Sequence, residues 1–217
     1  MQNIIENKYA KIISKHNSQY YIKRKIFLSF GALLILGVLL GIGMFDSVYK
    51  GSEYNSDIVT KHFSNVFYGC ETFSDYFSAV LRTSVPDIRN VFFIFVSGFT
   101  YFCYPASGVM IVAKGFLTGF SSYYLWDVTK MLIGSSNGIN NKILVVFVIA
   151  KIMLCAISVS LAVSSYIFSY RFRDIKASGS VLRRAPITYK YIFSFITSTG
   201  GVLLTNWVYC FIIYLIK

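Results

Sequence analysis

The chain has 217 residues, of which 55% are hydrophobic, 18% aromatic and only 14% charged, and its formal net charge is +12. In a soluble protein that charge would point to nucleic acid, but at this apolar content it reflects membrane topology, and no nucleic-acid partner is expected. Length and hydropathy predict an all-α polytopic helical bundle of about five transmembrane helices, a single integral membrane domain over 1–217, with the cell membrane as its location.

Residues 1–25 are a basic tail, with Lys8, Lys11, Lys15, Lys23, Arg24 and Lys25 against Glu6. The first apolar helix is predicted over Ile26–Phe45, closed by Asp46. A cleaved signal peptide is the rival reading. Its apolar core usually runs about 7–15 residues and precedes a small-residue cleavage site. This run is longer and lacks such a site, which favours a retained anchor.

Residues 46–89 differ in kind, since they hold six of the nine acids. Val59, Phe63, Val66, Phe67, Cys70, Phe73, Phe77, Val80 and Leu81 recur at steps of three and four. That spacing is a helical stripe. It predicts an outer amphipathic helix that rests on the membrane surface, docks a partner, or packs on the other helices. Phe63, Phe67, Phe73 and Phe77 are the candidate partner-binding side chains.

Val91–Trp126 is 36 residues with one formal charge, Lys114. A single crossing takes about 20 apolar residues, so this run is too long for one. Pro105 removes a backbone donor, and Ser107 and Gly108 follow. A hairpin is predicted, with arms of about Asn90–Tyr104 and Val109–Leu125 turning at Pro105–Gly108. A polar link containing GSSNGINN comes next, then an apolar helix over Ile143–Tyr170, a basic stretch over 171–190 and a last apolar helix over Tyr191–Ile216.

Charge tests the hairpin. The tail and the 171–190 loop each hold six basic residues. Lys and Arg concentrate in cytoplasmic loops, so both segments and the N-terminus are expected inside, with 46–89 outside. An even number of crossings must then separate the two basic segments. The 91–126 run supplies either two crossings or a re-entrant hairpin, and charge counting does not separate these.

Chemistry is scarce. Gly134-Ser135-Ser136-Asn137-Gly138 matches the hydrolase elbow G-x-S-x-G, which needs a strand before it and a helix after it. Here it joins two apolar helices and reads as a polar turn. His16 and His62 are the only histidines, and no zinc or Walker A pattern is present. No enzyme, metal or cofactor is expected. Cys103, Cys155 and Cys210 lie in apolar helices and read as small hydrophobes. Lys114 and Lys151 are intramembrane charges, functional candidates by default. With no acid placed deep in an apolar helix, both are expected to snorkel to an interface. Gly37-x-x-x-Gly41 and Gly115-x-x-x-Gly119 let helix backbones approach closely, within the chain or between copies.

Gly98-Phe99-Thr100, Tyr104-Pro105 and Lys114-Gly115-Phe116-Leu117-Thr118-Gly119-Phe120 together resemble the core of the stage II sporulation protein M family. The layout around them is similar as well: basic tail, helix, outer segment, hairpin and two further helices. The resemblance implies an integral membrane scaffold without catalytic residues. Such a scaffold recruits a membrane-anchored lytic transglycosylase and a peptidoglycan amidase during engulfment in endospore formation. The family motif maps onto Pro105, Lys114, Gly115, Phe116, Gly119 and Phe120, which are expected to be structural. Other members of the wider family stand beside export ATPases, including in bacteriocin secretion and immunity. The alternative is therefore a membrane subunit of an ABC-type export system with an ATPase subunit as partner.

Overall fold

The computed structural model describes residues 2–49, 73–133, 139–177 and 184–216. Every regular element among them is an α-helix: α1 Gln2–Tyr49, α2 Phe73–Ser97, α3 Cys103–Ile133, α4 Ile139–Ala177 and α5 Arg184–Ile216. Three stretches are long and apolar enough to cross a membrane: Tyr21–Phe45 in α1, Lys142–Ile175 in α4 and Ala185–Leu215 in α5.

Side-chain contacts fix the helix directions. Ser29 of α1 hydrogen-bonds Tyr104 of α3, and further along the same two helices Phe45 packs on Phe120 and Tyr123, so α1 and α3 run parallel. Phe95 of α2 stacks on Tyr191 of α5, while Tyr76 reaches Trp207, so α2 and α5 are antiparallel. Phe168 of α4 stacks on Tyr191 and Phe147 meets Tyr209, which makes α4 antiparallel to α5. Thus α1, α3 and α5 point one way and α2 and α4 the other. Lys23, Arg171 and Lys190 come together at one end, called here the basic end.

Several predicted boundaries move. The basic tail and the first apolar run form one helix, α1, which starts before Ile26 and passes through Asp46. The hairpin turn lies at Gly98–Phe102 rather than at Pro105–Gly108. There the amides of Gly98, Phe99 and Thr100 bond back to the carbonyls of Phe95, Val96 and Ser97, a tight closing turn. Pro105 falls in the first turn of α3, where its missing N–H would have no intrahelical partner in any case. Pro86 sits inside α2 instead, where it withdraws the donor that the Arg82 carbonyl would accept.

The outer segment also changes. Its last part is not a separate amphipathic helix but the start of α2, which continues unbroken into the hairpin arm. Phe63 and Phe67 lie outside the described residues, and Phe73 opens α2. The buried line on α2 is Tyr76, Val80, Ser84, Asp87, Val91 and Ile94, while Phe77 is 59% exposed and Leu81 faces outward too. The core-facing stripe is therefore rotated by one residue from the predicted one. Packing against α5 through Tyr76 selects it, and hydrophobic periodicity alone could not. The hairpin arms, 25 and 31 residues, measure about 37 and 46 Å at 1.5 Å per residue.

The tightest seam joins α1 to α3. A side chain on Gly37 would strike the Val112 carbonyl, on Gly41 the Phe116 carbonyl, on Gly115 the Leu34 carbonyl and on Gly119 the Val38 carbonyl. Both GxxxG pairs thus meet each other inside one chain. Close approach of this kind gains dispersion contact between backbones that larger residues would hold apart. Gly43 on the same helix has open space around it. Two glycine substitutions should therefore have opposite signs. Gly43→Ala should stabilise α1, since alanine is the better helix former by about 1 kcal/mol. Gly119→Leu should cost about 1–3 kcal/mol by overpacking. Thermal unfolding in detergent reads both, and equal stability of Gly119→Leu and the parent protein would mean that this face is not packed.

Candidate functional site: a buried charge cluster

Asp87 lies about four turns into α2, on the line that faces the core. Lys114 on α3 donates from Nζ to its Oδ1, and both residues are 6% exposed. The second carboxylate oxygen, Oδ2, accepts from Asn206 Nδ2 of α5 at 3.3 Å. Three helices thus contribute one group each. Taking a charge out of water costs several kcal/mol, which opposite charge and additional hydrogen bonds offset only when the geometry is complete.

Lys151 of α4 stands near this group. Its ammonium lies 5.2 Å from the Phe147 ring centroid, a cation–π contact, and it is within electrostatic reach of both Lys114 and Asp87. Ser84, one turn before Asp87 on α2, is fully buried, and its hydroxyl has no hydrogen-bond partner among the described residues. Lys114 therefore does not snorkel, and an acid does lie deep in the bundle, contrary to expectation. The sequence alone places Asp87 in the outer segment, because the apolar run starts at Val91. The helix starts at Phe73, and that places the carboxylate inside.

A second polar cluster ties the basic end together. Ser97 donates to the Ile94 carbonyl at 2.7 Å and contacts the Ser107 hydroxyl at 2.7 Å. Ser165 of α4 donates to the same Ile94 carbonyl at 3.0 Å, and Cys103 Sγ lies 3.3 Å from Ser165 Oγ. The Tyr191 hydroxyl is placed to donate to the Phe95 carbonyl at 2.7 Å. Gly98 makes room for it: a Cβ there would meet the Tyr191 hydroxyl and lie 2.7 Å from Ser165 Oγ. Ser169 of α4 then donates to the Thr100 carbonyl, and Arg173 donates to Ser169. At the end of α2 the Ile94 carbonyl thereby gains a donor from α4, and the Phe95 carbonyl, already bonded in the turn, gains one from α5.

The family-motif residues divide by role. Gly115 and Gly119 form the seam with α1, Lys114 makes the ion pair, and Phe116 and Phe120 stack with each other beside α1. Pro105 lies in the first turn of α3 and is exposed. Among the partner-binding candidates, Phe77 is the one whose side chain is described. The Gly134–Gly138 turn, His62 and Cys70 lie outside the described residues. Cys103, Cys155 and Cys210 are buried thiols, and no group of three metal-ligating side chains occurs among the described residues. Sequence reading missed Asn206 and the serine cluster. A helical line drawn from Asp87 through Val91 and Ile94 would have pointed to the first of these clusters.

No family model matches the chain, and no curated protein or solved structure is similar to it at a significant level.

The ion pair makes a direct prediction. Lys114→Met leaves Asp87 buried without its counter-charge and should destabilise by about 3–5 kcal/mol. Adding Asp87→Leu removes the orphaned charge and should recover most of the loss. Thermal melts of the single and double variants in detergent check this, and a double variant less stable than Lys114→Met would show that the two groups are not coupled.

Proposed function

We propose that this chain is a non-catalytic, multi-pass membrane scaffold whose five helices all cross the bilayer, with the N-terminus and the 178–183 connection on the cytoplasmic side. One observation carries the scaffold reading. The Lys114–Phe120 motif, on which the family resemblance rests, is taken up by packing and ion pairing, with its glycines against α1 and its lysine on Asp87. Its residues hold the bundle together rather than facing a substrate.

The distribution of polarity supports the membrane reading. Asp87, Lys114 and Asn206 are buried, whereas Ile35 and Leu39 of α1, Ile149 and Ile152 of α4, and Ile196 and Leu204 of α5 are exposed. Exposed apolar faces this extensive need a nonaqueous surrounding. Lys23, Arg171 and Lys190 at one end agree with the excess of basic residues on cytoplasmic faces. The partner class comes from the family resemblance: a membrane-anchored lytic transglycosylase and a peptidoglycan amidase, docked on the segment between α1 and α2 together with the start of α2, where Phe77 is exposed. The basic end would instead dock an ATPase if the chain serves export.

Two measurements test this. In intact cells, on a cysteine-free background, a cysteine at position 55 should react with an impermeant reagent and one at position 180 should not. Labelling at 180 overturns the orientation. Co-purification from native membranes should recover wall hydrolases, and Phe77→Ser should reduce that recovery without lowering folded yield. Recovery of an ATPase in their place would select the export reading.

A further inference from the structure

We propose that the groove at the basic end, between α1, α4 and α5, binds the phosphoryl headgroup of an anionic phospholipid. The site rests on the membrane reading above but not on the scaffold assignment. The groove has a volume of about 190 Å³. Lys23 of α1, Arg171 of α4 and Lys190 of α5 line it, one cation from each helix. Among the described residues, none that lines the groove is acidic.

Two features select a lipid over a free anion. Apolar side chains, Ile167, Phe168 and Ile187, share the lining with the cations. An inorganic phosphate would leave that part of the groove wet, whereas a lipid fills it with glycerol and the first methylenes. Apolar surface then continues away from the groove along α1, where Phe27, one turn from Lys23 on the same helix face, is exposed. Acyl chains would lie there while the cations hold the phosphodiester. The groove also sits at the ends of three helices long and apolar enough to span a bilayer, at the level where headgroups lie. Basic pockets between transmembrane helices are suited to such headgroups because charge attraction and acyl burial act on one ligand.

The groove also has a firm floor. Phe168 is buried and stacks on Tyr191 with ring centroids 4.2 Å apart, and Tyr191 is held by its bond to the Phe95 carbonyl. Arg171 and Lys190 flank this stacked pair in sequence, so their stems leave from fixed positions. A preformed site of this kind loses less conformational entropy on binding than free surface lysines would.

The test uses the full chain purified in a mild maltoside detergent. Phosphatidylglycerol, phosphatidylcholine and inorganic phosphate are titrated separately, and apparent affinity is read from thermal stabilisation. Phosphatidylglycerol should bind at least about tenfold tighter than phosphatidylcholine. Arg171→Gln and Lys190→Gln should each weaken it about fivefold, the order expected for one basic residue at an anionic surface. Lys142→Gln, an exposed lysine at the opposite end, should leave binding unchanged. Equal affinity for the two lipids overturns the site, as does an equal loss from Lys142→Gln. Inorganic phosphate that stabilises as well as phosphatidylglycerol overturns the lipid assignment. Carbonate extraction of membranes reads the underlying premise separately. Release of the chain into the supernatant sinks the membrane reading, whereas retention without lipid preference sinks the site alone.

Discussion

Asp87 and Lys114 carry opposite charges in the apolar middle of a helical bundle, and neither would be tolerable there without the other. Taking a lone charge out of water into a packed interior costs several kcal/mol. The pair, completed by Asn206, sets how α2, α3 and α5 align along their axes, because a slide of one helical turn separates the three groups. The remaining helices attach by other means. α1 joins through its glycine seam with α3, and α4 through the serine cluster below the hairpin turn. Dispersion alone would permit several registers in a nonaqueous surrounding, where apolar faces gain little from meeting each other rather than lipid. Specific polar contacts and close backbone contacts remove that freedom.

Much of this was legible in the sequence. The apolar runs, the break in the 91–126 stretch and the two GxxxG pairs all follow from composition and spacing, and the helices exist where apolar content demands them. Helix ends were harder. Pro105 breaks a helix if it lies inside one and begins a helix if it lies in the first turn, and the local sequence permits both. The turn bonds at Gly98–Thr100 and the room that Gly98 leaves for Tyr191 decide the matter, and they involve residues distant in the chain. The charge cluster was hidden for a related reason. Hydropathy marks where a helix becomes apolar, not where it starts, so a helix with a polar first half looks shorter than it is. Arg82, Asp87 and Arg89 gave α2 that disguise.

Lys151 shows the limit of pattern reading in another way. Its position in an apolar helix marked it as unusual, but whether it faced lipid, an interface or a partner depended on the rotation of α4. The structure turns it toward Phe147 and within electrostatic reach of the Asp87–Lys114 pair. A second ammonium group, half-buried, thus stands over an aromatic face near the buried ion pair.

The parallel course of α1 and α3 bears on how such a chain is made. Neighbours in sequence usually pack together, but α1 keeps its closest contacts for a helix that emerges only after α2 has been synthesised; Ser29 and its partner Tyr104 are 75 residues apart. During insertion from the N-terminus, the glycine face of α1 would first meet lipid and later exchange it for α3. Asp87 likewise emerges 27 residues ahead of Lys114 and 119 ahead of Asn206. A carboxylate that must wait for its counter-charge favours folding of α2 and α3 as a coupled hairpin, so the order of synthesis and the order of charge pairing constrain one another.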